Sequence, residues 1–278
     1  MQVVHVPDAT LLQQKIDAGA ISFVNYRDKA SPFRNRVMFG CCAFSFIQSG
    51  QKKVYRAGES KVIGPGYGML IPEGNSIIIE HSDTTEKYNT ILIFFPAHVA
   101  KAFVAAHKSK IQGTAAQSSY VHFATNGYIG EYIRNIKSLI DSQQALSQEM
   151  ALLKVNELLT AVYEMSPTLL AGIICPAERV SLKVVVENNL FNNLNLEELS
   201  FLANRSVSSF KRDFEKTYGV SPQRYIRERK LEIACAELTK GRSASELYME
   251  YGYENLSNFN TAFKRKYGKT PGAFRQHV

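Results

Sequence analysis

Hydrophobic positions change their period twice along this chain. From about residue 20 to residue 95 they come in short runs broken by turn residues. CCAFSFIQSGQKKVYRAG reads as strand, turn at Ser49-Gly50, strand, and GPGYGMLIPEGNSIIIEHS sets glycines and prolines around the apolar runs Met69 to Ile71 and Ile77 to Ile79. EKYNTILIFF adds a further β-rich run ending at Pro96. Strands at this spacing with glycine-rich turns predict a small barrel or sandwich.

The period then becomes helical. In YIGEYIRNIKSLI the residues Ile129, Tyr132, Ile133, Ile136, Leu139 and Ile140 recur at three and four, and QALSQEMALLKVNELLTAVYEM places Leu146, Met150, Leu153, Leu159 and Val162 similarly. Each stripe needs a burial partner. The domain's own strands and the same helices of a second subunit are both open, so Ile129, Ile133, Ile136, Ile140, Met150 and Leu153 are candidate dimerisation residues. MSPTLLAGIICPAER, with Pro167, Gly172 and Pro176, loses the periodicity. The expected division is therefore a domain over residues 1–165, a linker over 166–179, and a second domain over 180–278.

In the second domain a frame is written twice. YGVSPQRY (Tyr218 to Tyr225) and YGKTPGAF (Tyr267 to Phe274) share Tyr-Gly-x-Ser/Thr-Pro-x-x-aromatic at an offset of 49 residues. The register extends upstream, matching Ser208 with Ser257, Phe210 with Phe259 and Phe214 with Phe263. Each frame follows a helical pattern: LEELSFLAN, then VSSFKRDFEKTYG behind a candidate N-cap at Ser206; and ASELYMEYGYENL with a turn at Gly252, then SNFNTAFKRKYG. The paired phenylalanines face inward, which leaves Ser208, Lys211, Arg212 and Glu215 on the outer side of the first long helix. A short helix, a tight turn and a polar second helix make the plan of a helix-turn-helix DNA reader. PQRYIRERKLEIACAEL runs between the copies as a linker helix about 25 Å long, comparable with the ~34 Å between successive major-groove faces on one side of B-DNA.

These residues resemble a known family. From about 181 to 276 the chain is similar to the DNA-binding domain of the AraC/XylS transcription regulators, above all in GYENLSNFNTAFKRKYGKTPGAFR. The resemblance implies a DNA-binding transcription activator working with RNA polymerase on double-stranded DNA. It places base-reading positions at Ser208, Lys211 and Arg212 in the first reader and at Ser257, Asn260 and Thr261 in the second. Lys216, Arg224, Lys264 and Arg265 are the phosphate candidates, adding salt-dependent affinity without sequence information. Three positions depart from the family's habit: Thr261 stands where Arg is frequent, Ser200 where a small Ala is usual, and Lys230 where the linker helix carries Arg. They leave a weaker or narrower role for the second reader open. The family's N-terminal domain is often a cupin-like barrel, and FSFIQSGQKKVYRAGESKVIGPGYGMLIPEG is similar to it. The expected fold is thus α+β, a cupin-like β-barrel with amphipathic helices followed by an all-α double helix-turn-helix domain. The first domain would take a small-molecule effector, a regulatory protein, or a second copy of the chain.

Composition narrows the alternatives. Hydrophobic residues at 45% and charged ones at 21% fit a globular protein with a real core. The net charge of +8 favours a polyanionic partner, and the excess leans to the C-terminal third. No metal or cofactor is expected: His5, His81, His98, His107, His122 and His277 are scattered, and Asn75-Ser76 follows Pro72-Glu73-Gly74 where a metal cupin would place histidine. A cupin-type metal enzyme is accordingly the weaker alternative, and a helical protein-interaction scaffold is the rival to DNA binding. Cys41, Cys42, Cys175 and Cys235 include no CxxC pair and read as buried thiols. The opening MQVVHVPDATLLQQKIDAG lacks a basic start and apolar run, and no apolar stretch is long enough for a bilayer, so a cytoplasmic protein is expected.

Overall fold

The computed structural model describes residues 3–10, 13–28, 34–82, 87–107, 119–165, 167, 168, 170 and 181–275, in two units, Met1–Arg179 and Val180–Val278. Of the expected linker only Pro167, Thr168 and Leu170 are described; Cys175 and His277 also lie outside the described residues.

In the first unit the strands are β1 (Val3–Val6), β2 (Gln14–Ala18), β3 (Ile21–Asp28), β4 (Arg34–Phe39), β5 (Cys42–Ser49), β6 (Gln51–Arg56), β7 (Glu59–Ile63), β8 (Tyr67–Ile71), β9 (Gly74–His81), β10 (Tyr88–Phe95) and β11 (Val121–Ala124). The helices are α1 (Ala97–His107), α2 (Gly127–Asp141) and α3 (Gln148–Met165). Among the described residues the strands form a five-stranded sheet, β1-β4-β9-β6-β7, and a six-stranded sheet, β11-β8-β5-β10-β3-β2. The expected barrel is corrected to two sheets without closure. Consecutive strands cross between sheets: β5 pairs with β8 and β10, whereas β6 pairs with β7 and β9. The turn at Gly50 therefore joins one sheet to the other and does not close a hairpin. Gly50 has φ +79°, and a Cβ there would meet the His81 carbonyl oxygen at 2.4 Å.

The six-stranded sheet is buried on both faces. Along β10, Tyr88, Leu92 and Phe94 point between the sheets with Val24, Met69 and Ile71, while Ile91, Ile93 and Phe95 point at the helices with Phe44 and Phe46. A strand covered twice reads as an unbroken apolar run, which is why TILIFF does not alternate with polar residues. Ile129, Ile133, Ile136 and Ile140 of α2 are buried in this helical layer, along with Val155, Leu158 and Val162 of α3. These four isoleucines are committed to their own unit's core. Of the six dimerisation candidates, Met150 and Leu153 remain on the surface, at 47% and 62% exposure.

The second unit is helical: α4 (Leu182–Glu187), α5 (Leu196–Leu202), α6 (Val207–Tyr218), α7 (Pro222–Thr239), α8 (Ala244–Glu250), α9 (Leu256–Tyr267) and α10 (Pro271–Arg275). Its boundaries follow capping chemistry. Asn195 and Glu198 form a reciprocal box at the start of α5, the Asn195 side chain accepting from Glu198 N at 2.9 Å and Glu198 Oε2 from Asn195 N at 2.7 Å. Ser206 Oγ accepts from Ser209 N at 3.2 Å, and Asn255 Oδ1 from Asn258 N at 2.8 Å, which starts both long reader helices. Gly219 and Gly268 end them in the left-handed region, at φ +73° and +75°.

Candidate nucleic-acid interface

The repeated frame builds the core beneath two reading helices. Its Ser or Thr caps the following helix, Ser221 Oγ accepting from Arg224 N and Thr270 Oγ1 from Ala273 N. Its closing aromatic folds back on the helix before. Phe214 lies 4.7 Å from Tyr218 and 5.4 Å from Tyr225, and Phe263 lies 4.6 Å from Tyr267 and 5.7 Å from Phe274, as ring-centre distances. Phe210–Phe214 and Phe259–Phe263 are both 6.0 Å apart. All four phenylalanines are fully buried. One face of α6 and one face of α9 are thus fixed against the unit, and the opposite faces are free to meet a partner.

On α6 the outward residues include Ser208, Lys211, Arg212, Glu215 and Lys216, all exposed. On α9, Ser257, Thr261, Lys264 and Arg265 are exposed, and Asn260 is half-buried. The six base-reading candidates therefore fall on two outward helix faces, three to each. The two arginine candidates of the first reader, Arg224 for phosphate and Arg212 for a base, differ in how committed they are. Arg224 Nε already donates to Glu228 Oε1 at 2.7 Å, and that carboxylate raises the guanidinium pKa. Arg212 reaches Asp213 at 3.3 Å but stays 74% exposed, so its end can be redirected.

The copies are not superimposable throughout. The turn between α5 and α6 holds four residues, 203–206, and the turn between α8 and α9 holds five, 251–255. Both short helices end alike, Arg205 N donating to Ser200 O at 3.0 Å and Tyr253 N to Tyr248 O at 2.9 Å. The left-handed residue is Asn204 in the first turn (φ +53°) and Gly252 in the second (φ +80°). Ser200, the departure from a small alanine, is 2% exposed and satisfies its hydroxyl on the Glu197 carbonyl at 2.9 Å.

Sequence reasoning missed the residues that join the flanking helices to α7. Glu187, Arg229, Glu232 and Lys266 form a continuous charge chain, and Phe191 stands edge-on to Tyr251 at 5.1 Å. Only the i,i+3 spacing of Arg229 and Glu232 is a local signal; their partners lie 42 and 34 residues away. Glu187 is pushed up by burial, yet the hydrogen bonds from Arg229 and Tyr225 hold its pKa below the ordinary carboxylate value.

Comparison with known proteins fits this geometry. Residues 199–277 match a helix-turn-helix domain family, and residues 42–171 match the ExsA N-terminal regulatory domain family. The XylDLEGF operon transcriptional activator of Pseudomonas putida is 38% identical over 90 residues, 31% of this chain and 28% of that protein. This chain belongs to the AraC/XylS family of transcription regulators. The chain spans just over a quarter of that P. putida relative's length. Thermoregulatory protein LcrF of Yersinia pestis is 22% identical over 84% of this chain and 92% of its own. Among solved structures, ToxT from Vibrio cholerae covers 93% of this chain and 99% of its own at 13% identity and a TM-score of 0.41; the family membership does not rest on it. Within the AraC/XylS frame, the helix-turn-helix match takes in both reading segments except the first residues of α5. No described helix is long and apolar enough to cross a membrane.

Proposed function

We propose that this chain is a sequence-specific transcription activator that lays α6 and α9 in two adjacent major-groove segments of double-stranded DNA. The observation that carries the reading is the pair of helices with matching buried aromatic faces and unlike outer faces. Only the major groove admits a helix and distinguishes every base pair. Lys211 and Arg212 suit the O6 and N7 acceptors of guanine, Asn260 suits the N6 and N7 edge of adenine, and the Thr261 methyl suits that of thymine. Ser208 and Ser257 serve either donor or acceptor edges. Lys216, Arg224, Lys264 and Arg265 contact phosphates and set the register.

The first unit regulates the reader. Its match to a regulatory domain supports this, as does a cleft of about 570 Å³ between α1 and α3, floored by Ile21, Pro96, Val99 and Phe103 and edged by His107 and Gln148. That size suits a small effector; a regulatory protein acting there would leave the cleft without a small ligand. Exposed Met150 and Leu153 on α3 support a homodimer. The cytoplasm and RNA polymerase are the expected setting and partner of such an activator.

The test is a titration on random duplex DNA at rising salt, followed by footprinting on a selected site. Log affinity is expected to fall linearly with log salt at about −0.9 per phosphate contact, with two protected groove segments. Absent or salt-independent binding would establish the interaction scaffold instead. Protection of a single segment, unchanged in the Asn260→Ala/Thr261→Ala protein, would remove the second reader.

A further inference from the structure

The linker helix is tied by charge to both sides of the reader. Glu187, at the end of α4, accepts from Arg229 Nε at 2.8 Å and from the Tyr225 hydroxyl. Arg229 Nη1 also donates to Glu232 Oε2, one turn further along α7. Glu232 Oε1 accepts from Lys266 Nζ at 3.0 Å, and the same ammonium donates to the Glu228 carbonyl oxygen at 2.8 Å. Lys266 belongs to α9, the second reading helix. Four side chains of alternating sign therefore run unbroken from α4, which leads into the first helix-turn-helix, along α7 and onto the second. A single pair this exposed is worth little. Here Arg229 and Glu232 each serve two partners, so the ties are not independent of one another.

The adjacent residue closes the other side. Lys230, about 100° around the helix from Arg229, holds its Nζ 6.0 Å from the centre of the Phe191 ring. Phe191, between α4 and α5, meets Tyr251 at the start of the second turn, so the two halves of the reader touch directly. A Cβ on Gly252 would lie 3.2 Å from Lys230 Nζ, which places that ammonium against the turn of the second reader. Both flanks of α7 are therefore occupied by contacts to the helices and turns on either side of it.

Resting on the two-reader function above, we infer that the Glu187–Arg229–Glu232–Lys266 chain sets the spacing and phase between the two DNA segments the protein accepts. Residues that touch no base would then decide which sites are read. One extra base pair moves the second segment by about 3.4 Å and turns it by about 35°. Locked readers reject that displacement, and readers on a loosened helix follow it.

The experiment uses the full chain and a duplex that it selects from a random-sequence pool. The duplex is remade with one or two base pairs inserted or removed between its protected segments, and affinity is titrated for wild type, Arg229→Met and Lys266→Met. Methionine keeps an apolar stem and drops the charge. Wild type is expected to lose about tenfold in affinity on one inserted base pair and each variant about threefold or less. Affinity for a duplex carrying one segment stays unchanged. Because both substitutions break one chain, the double variant is no more tolerant than either single one. Glu187→Gln breaks the chain at its far end with almost no change of size and is expected to broaden the profile too, whatever the melting behaviour of the other variants. A wild-type spacing profile in the variants overturns the inference. So does a uniform loss on every duplex, which would make Arg229 and Lys266 phosphate contacts. A wild-type protein indifferent to spacing overturns it as well, whereas protection of a single segment on the selected duplex overturns the two-reader function itself.

Discussion

Where α6 carries Lys211 and Arg212, α9 carries Asn260 and Thr261; where α6 carries Glu215, α9 carries Lys264. Beneath these differences the ring distances from Phe214 and from Phe263 to their two aromatic partners agree to within 0.3 Å. The first reader puts two long cations on its outer face, with an acid one turn further along. The second puts short neutral groups there and gathers Lys264, Arg265 and Lys266 in its last turn, where positive charge also complements the helix dipole. Packing and recognition occupy opposite faces of one helix, so the first can stay constant while the second varies. One duplicated fold thus carries two unlike outer faces.

The harshest way to break the comparison is to remove its common part. Phe214→Ala and Phe263→Ala each empty a fully buried aromatic site and are expected to cost about 3–5 kcal/mol of stability, measured by denaturant unfolding. Similar losses in both copies would support equivalent cores; a loss under about 1 kcal/mol in one would show that its core is not built alike. Next come the proposed base-reading positions. Arg212→Ala and Asn260→Ala are each expected to relax discrimination at a single base pair by about 1–3 kcal/mol in competition titrations, at different positions of the site. Equal losses on all sequences would turn either residue into a phosphate contact.

Charge exchange sharpens the contrast with a smaller effect. Lys264→Ala should flatten the salt slope by about one, and Glu215→Lys, which gives the first reader the charge of the second, should steepen it by about one. Unchanged slopes would remove both positions from the phosphate path. The weakest expected effect is on pH. The pKa of Glu232 is held down by hydrogen bonds from Arg229 and Lys266, and that of Glu187 is lowered in the balance against burial. Groups lowered on folding contribute stability above the ordinary carboxylate value of 4.5 and lose it as pH falls through their folded values. The second unit should therefore lose stability below about pH 4.5, and less steeply in Arg229→Met, by thermal melts across pH. An identical acid profile in that variant would sever the carboxylates from the chain.

Much of the reader was legible because its signals are local. Serine and asparagine caps, glycine stops, Pro222 and Pro271, and phenylalanines four residues apart act within one or two turns of the backbone. The first unit was less legible. β1, β2 and β11 and the helix α1 lay outside the expected elements, although Val99, Ala100, Phe103 and Val104 do carry a buried helical stripe. The turn expected at Ser49-Gly50 is present, but it joins two sheets because the pairing partners of β5 and β6 come from distant strands.

Helix starts and stops, the apolar helix faces and the twofold writing of one reader follow from residue type and spacing along the backbone, and so can be read from the chain alone. The two unclosed sheets, the burial of the α2 isoleucines in their own core and the meeting of Glu187 and Lys266 on the linker helix became visible with the folded chain. Those outcomes depend on side chains from distant segments sharing limited buried volume and opposite charge, and no local pattern encodes which of the available partners a side chain meets.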